Sequence, residues 1–182
     1  MFSVFKKRQR EIEDRGKPFK TRGEIIRKFL KLLQFDLTEA QKKVLRQIMG
    51  YLEQTEPMNL LLQGDVGSGK TVVALTALIT AVENDCQAAL MAPTELLAEQ
   101  HFLSISPFCN ALGINIGLVT STGTSKEKSL IRSNIESGAT QIIIGTHALI
   151  QKKVEFSNLG LIVVDEQHRF GVHQRLHLAA KG

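Results

Sequence analysis

Residues 59–82 read NLLLQGDVGSGKTVVALTALITAV. The run Leu60 to Leu62 has the length and composition of a buried strand. Gly64, Asp65, Val66, Gly67, Ser68 and Gly69 follow as a glycine-rich turn, and Lys70-Thr71 opens an apolar helix predicted over 70–83. The spacing Gly64-x4-Gly69-Lys70-Thr71 between a strand and a helix is that of a phosphate-binding loop. Glycines let backbone N–H groups turn inward onto phosphate oxygens, and the helix N-terminus adds partial positive charge. A lysine at position 70 reaches the β- and γ-phosphates, and the Thr71 hydroxyl takes a place on Mg²⁺. The stretch predicts a nucleotide-binding protein.

Strands and helices alternate outward from this point. Strands are predicted at 59–63, 87–91, 114–119, 141–144 and 160–164, and helices at 70–83, 94–106, 124–136 and 171–180. Such alternation predicts an α/β fold, a parallel sheet with helices on both faces. Four strands end in a turn and polar residues, at Gln63-Gly64, Ala92-Pro93-Thr94, Gly145-Thr146-His147 and Asp165-Glu166. Ligands of open α/β sheets bind at the carboxyl ends of the strands, so these groups are expected along one edge.

Before the loop, residues 2–15 are predicted helical, with a break at Gly16-Lys17-Pro18. Thr21 to Glu24 has the capping-box pattern and opens a helix with Ile25, Ile26, Phe29, Leu30 and Leu33 on one stripe. Thr38 to Gln41 is a second such box. Two domains are expected: a basic helical segment over 1–34 and the nucleotide lobe over 35–182.

Charge follows the same division. The chain has 182 residues and a net charge of +5, yet residues 1–46 hold 14 Lys/Arg against 6 Asp/Glu and the remainder is slightly acidic. A basic arm suits nucleic acid or is a solvated face. Two cysteines without a CxxC spacing, no signal-peptide pattern and no stretch long enough for a membrane span predict a cytoplasmic chain with reduced thiols.

The apolar strand Leu161–Val164 ends in Asp165-Glu166-Gln167-His168, 95 residues after Lys70. An acidic pair on a buried strand tip is costly unless a cation or a proton uses it. Asp165 can hold the Mg²⁺ that bridges the phosphates, and Glu166 can polarise the attacking water. His173 and His177 stand four apart with His168 just before them, but no further ligand at zinc spacing follows and the cysteines are distant.

Residues 64–71 (GDVGSGKT), 92–101 (APTELLAEQH), 145–151 (GTHALIQ) and 165–171 (DEQHRFG) occur in the order of motifs I, Ia, Ib and II of superfamily 2 helicases, whose motor lobes are RecA-like. Their wording resembles the RecG-type branched-DNA helicases. The transcription-repair coupling translocases are near relatives, whose motif II usually lacks the Gln-His pair. The resemblance implies ATP and Mg²⁺ as cofactors, branched or forked DNA as partner, and roles in recombination and repair. It implies that Phe35 and Gln41 recognise adenine, that Pro93, Thr94, Gly145, Thr146 and His147 meet DNA, and that Gln167, His168 and Arg169 couple the two sites. Read from the residues alone, Gln41 is either a helix cap or an adenine reader, and Phe35 either core or a stacking ring. Thr94 and Thr146 are either plain N-caps or phosphate ligands, and residues 120–128 either a capped surface helix or a further backbone contact. The family's second motor lobe, with its arginine finger, and its wedge domain have no counterpart motifs before Gly182, so a single, incomplete lobe is expected. A GTPase would show Asn-Lys-x-Asp, which is absent. A lobe that binds nucleotide or DNA without turnover is the remaining alternative.

Overall fold

A computed structural model of the chain describes residues 2–6, 18–56, 58–62, 68–150 and 154–165. The elements are β1 (Phe2–Lys6), α1 (Glu24–Leu32), α2 (Glu39–Leu52), β2 (Asn59–Leu62), α3 (Lys70–Glu83), β3 (Gln87–Met91), α4 (Glu95–Leu112), β4 (Ile116–Val119), α5 (Ser125–Glu136), β5 (Ile142–Gly145), a 3₁₀ turn (His147–Ile150) and β6 (Leu159–Asp165). The sheet order is β2-β1-β6-β3-β5-β4, and β6, β3, β5 and β4 are parallel to one another. The helix predicted over 171–180 lies outside the described residues.

Alternating strand residues face two cores. On one face Ala88, Leu90, Ile142, Ile144, Leu161 and Val163 pack against α1 to α4. On the other, Ala89, Met91, Ile143, Ile162 and Val164 meet Ile135 of α5, Leu149 and Val154. Helices on both faces explain why β3, β5 and β6 read as continuous apolar runs. Helix α3 is buried from Val73 through Val82, as its nearly all-round apolar pattern requires. Among the described residues, no helix is long and apolar enough to cross a membrane.

Three expectations are corrected. Residues 2–6 form a strand, not the start of a helix over 2–15, and residues 7–17 lie outside the described residues. Strand β1 runs antiparallel between β2 and β6, and Phe19, Ile26 and Phe29 share the core of α3. The capping box at Thr21 does not form. Gly23 is the N-cap of α1, and the Glu83 carboxylate accepts from the Ile25 and Ile26 N–H groups at 2.8 and 3.3 Å. A Cβ on Gly23 would collide with that carboxylate, so the α1 start is capped from α3. Helix α4 runs past Pro107 to Leu112, closed by Gly113 in the left-handed conformation, instead of ending at 106. Its extra turn buries Cys109 and sets Phe108 edge-on to Phe29, with ring centroids 5.6 Å apart. That packing outweighs the hydrogen bond lost at proline.

Burial pushes the Cys109 thiol up to about 11. At pH 8 its thiolate fraction is then about one in a thousand. Iodoacetamide is expected to leave Cys109 unmodified in the folded chain and to label it in guanidinium, counted by mass spectrometry. Labelling of native protein at the rate of an exposed thiol would show that α4 is not packed as described.

Candidate nucleotide and nucleic-acid site

The sheet register brings the elements predicted to bind nucleotide to one level. Phe2 pairs with Leu62 on one side and with Asp165 on the other. The loop-bearing strand and the tip of β6 therefore end level, two strand spacings or about 10 Å apart. Met91 pairs with Gly145 and with Val164, and Val119 with Gly145, so every parallel strand ends at this edge.

Of the loop predicted to bind phosphate, Ser68 onward is described, while Gly64, Asp65, Val66 and Gly67 lie outside the described residues. Gly69 is the N-cap of α3 with φ +77°, a conformation that favours glycine. A Cβ there would run into the Gln41 amide. Lys70 and Thr71 are the first two residues of α3 and are half-buried.

Gln41 does more than cap its helix. Its Oε1 accepts from the Thr38 N–H at 2.9 Å while Thr38 Oγ1 accepts from the Gln41 N–H at 3.2 Å, the capping box of α2. Its Nε2 donates to the Ser68 carbonyl at 2.9 Å, joining the start of α2 to the loop. Phe35, between α1 and α2, is 54% exposed, so the ring is a surface group and not core.

Asp165 ends β6 and is 8% exposed. His101 Nε2 lies 2.8 Å from its Oδ2. An ionised carboxylate only accepts, so the imidazole N–H donates. His101 closes the stretch 92–101 quoted above, but nothing in the sequence points to its partner 64 positions away. Glu166, Gln167, His168 and Arg169 lie outside the described residues, as do His173 and His177. Among the described residues no group of three or more His, Cys, Asp or Glu side chains could hold a metal on its own.

Pro93 and Thr94 follow β3 while Gly145, Thr146 and His147 end and follow β5, so the neighbouring strands place them side by side. Thr94 is the N-cap of α4, accepting from Leu97 N–H at 3.3 Å. Thr146 is 4% exposed and accepts from Ala148 N–H at 3.4 Å, so it holds the 3₁₀ turn, whereas His147 is exposed. Gly145 is close-packed: a Cβ would stand 2.6 Å from the Val119 carbonyl oxygen.

The third loop of this edge is more organised than its sequence suggests. Thr124 and Glu127 form a capping box that starts α5. Glu95, in the first turn of α4, accepts from the Ser121 N–H at 2.5 Å, and Lys128 donates to the Ser121 carbonyl. Hydrogen bonds from the Ser121 side chain and then its backbone hold the Glu95 carboxyl below the usual carboxylate range, with Lys128 and His147 adding to the effect. A cleft of about 530 Å³ opens here, lined in part by Ser121, Gly123, Lys128 and Arg132. Glu95 thus ties the loop after β3 to the loop after β4.

Residues 38–181 match the DEAD/DEAH box helicase family, and the chain belongs to it. Its relatives include the ATP-dependent DNA helicase RecG of Synechocystis sp., 48% identical over 90% of this chain and 20% of the relative. RecG of Thermotoga maritima is 45% identical over 98% of this chain and 23% of its own length. The fold superposes on a structure of RecG bound to a three-way DNA junction with a TM-score of 0.78, at 44% identity over 86% of this chain and 22% of that one. Yeast Dbp5 shares the fold at a TM-score of 0.62 and 19% identity. The chain is therefore homologous to RecG helicases and has their RecA-like lobe, spanning a fifth to a quarter of these relatives' length.

Proposed function

We propose that the chain is the ATP-binding motor lobe of a cytoplasmic RecG-type helicase that remodels branched DNA in recombination and repair. The observation that carries this reading is the register that levels the end of β2 with Asp165. A nucleotide on the loop then has its terminal phosphates turned toward a carboxylate.

The residues present suit Mg·ATP. Lys70 and the α3 N-terminus meet the β- and γ-phosphates, and the loop glycines leave room for backbone approach. The Thr71 hydroxyl and Asp165, both hard oxygen donors, would hold Mg²⁺. When bound, that ion would supply positive charge against the charge that develops in phosphoryl transfer. Glu166 orients and polarises the attacking water. Gln41, fixed by Thr38 and Ser68, and the exposed Phe35 receive adenine by hydrogen bonding and stacking.

On the far loops of the same edge, the α4 N-terminus at Thr94 and the 3₁₀ turn at Thr146-His147 take DNA phosphates. The Thr94 and Thr146 hydroxyls already serve local N–H groups. Phosphates would then be met mainly by backbone N–H groups. Such contacts position a strand without reading its sequence, which fits an enzyme that acts on DNA shape. Opening a junction calls on a second motor lobe and a wedge domain as partners of this lobe. Gln167, His168 and Arg169 would link nucleotide state to the DNA side.

Adenine preference is the test. The chain should bind a fluorescent ATP analogue more tightly than its GTP counterpart, and Gln41→Ala should reduce that preference to near unity. Equal affinity of the parent chain for both nucleotides would remove Gln41 from base recognition. Binding of forked DNA, followed by anisotropy, should weaken steeply with salt.

A further inference from the structure

We infer that His101 is a positioning residue for the Mg²⁺ site: its imidazole N–H sets the Asp165 carboxylate in the orientation that the metal requires. This rests on the reading of Asp165 as a Mg²⁺ ligand. The side chains of His101 and Asp165 are only 12% and 11% exposed, and the 2.8 Å bond joins α4 to the tip of β6.

The ring has little freedom to be elsewhere. Ala98 and Ile105, three residues before and four after His101, are buried at 0% and 1%, so His101 stands on the inward stripe of α4. Asp165 is just as constrained, because Leu161 to Val164 are buried and paired on both sides. A carboxylate that could rotate would meet a cation in many poses. One with Oδ2 committed to a fixed donor presents the other side of the group in a single pose. Metal-ligating carboxylates are commonly held by such outer hydrogen bonds, whose loss costs about 10–100-fold in metal affinity or activity.

The bond also joins two loops. Thr94, the cap of α4, lies seven residues before His101 along one continuous helix, roughly 10 Å at 1.5 Å per residue. A phosphate held at the α4 N-terminus and a cation held at Asp165 therefore bear on the two ends of one stiff segment.

The experiment uses this chain, Mn²⁺ as the metal probe and a non-hydrolysable ATP analogue, with free Mn²⁺ read by electron paramagnetic resonance. His101→Phe keeps the bulk and removes the donor, and His101→Gln returns an N–H near the imidazole Nε2 position. His101→Phe is expected to weaken Mn²⁺ binding to the nucleotide complex about 10–100-fold. Affinity for the metal-free nucleotide in EDTA should stay within about twofold, and His101→Gln should recover most of the loss. Parent-like Mn²⁺ affinity in His101→Phe overturns the inference. So does an equal loss in the metal-free arm, the mark of a merely structural pair, or a His101→Gln variant as weak as His101→Phe. Asp165→Ala separates the two readings: if it too binds Mn²⁺ like the parent, the assignment of Asp165 to the metal falls first.

Discussion

Glu166→Gln is expected to leave ATP affinity within a few-fold of the parent while slowing hydrolysis about 10²–10⁴-fold, the range of a lost general base. The substitution keeps size and hydrogen-bonding reach and removes only the charge that draws a proton from water. Phosphoryl transfer asks a protein mainly for positioning and electrostatics, so a change confined to the water side should be invisible in binding. The measurement is single-turnover phosphate release on forked DNA, in a polypeptide of the relatives' full length. Hydrolysis at the parent rate would place the base on another residue and leave Glu166 as a neighbour of the metal ligand.

Lys70→Ala should act on the other side of the same phosphate and at an earlier step. An ammonium spanning the β- and γ-phosphates makes two charge-assisted hydrogen bonds, each worth about 1.5–3 kcal/mol. Their loss predicts a fall in ATP affinity of roughly 10²–10⁴-fold at 1.4 kcal/mol per decade. The first turn of α3 and the Gly69 cap stay intact, because alanine favours the helix. Titration with the fluorescent analogue separates the two variants: Lys70→Ala fails to bind, whereas Glu166→Gln binds and does not turn over. Unchanged affinity in Lys70→Ala would remove the lysine from the phosphate site.

Features that a few adjacent residues determine are legible in the sequence. The strand ending at Leu62 and the helix opening at Lys70 each show in a few adjacent residues, and the capping box of Thr38 and Gln41 spans four. The parallel strands are readable because burial on both faces leaves unbroken apolar runs such as Leu161–Val164. What escapes depends on partners far along the chain. Phe2–Lys6 is a strand because β2 and β6 lie on its two sides, a context that Lys6 and the basic run after it conceal. Glu83 caps a helix whose Ile25 lies 58 positions before it, Glu95 holds a loop 26 positions after it, and Pro107 is carried through α4 by Phe108 and Cys109. His101 belongs with these. Its role depends on where β6 ends, which no local periodicity encodes.

Strand β1 gives the lobe an order of assembly. Residues 2–6 pair with residues 161–165, so the ladder joining β2 to the rest of the sheet closes a loop of about 160 residues. That closure costs on the order of 4–5 kcal/mol of chain entropy, whereas β3, β4, β5 and α5 assemble over far shorter spans. On a ribosome adding roughly 5–20 residues per second, residues 2–6 wait about ten to thirty seconds for β6 to be made. Much of the parallel sheet and its helices can fold in that interval. The ladder that sets Asp165 level with the end of β2 forms only once both of its ends are made, so on the reading proposed above the lobe can become compact before it can hold a nucleotide.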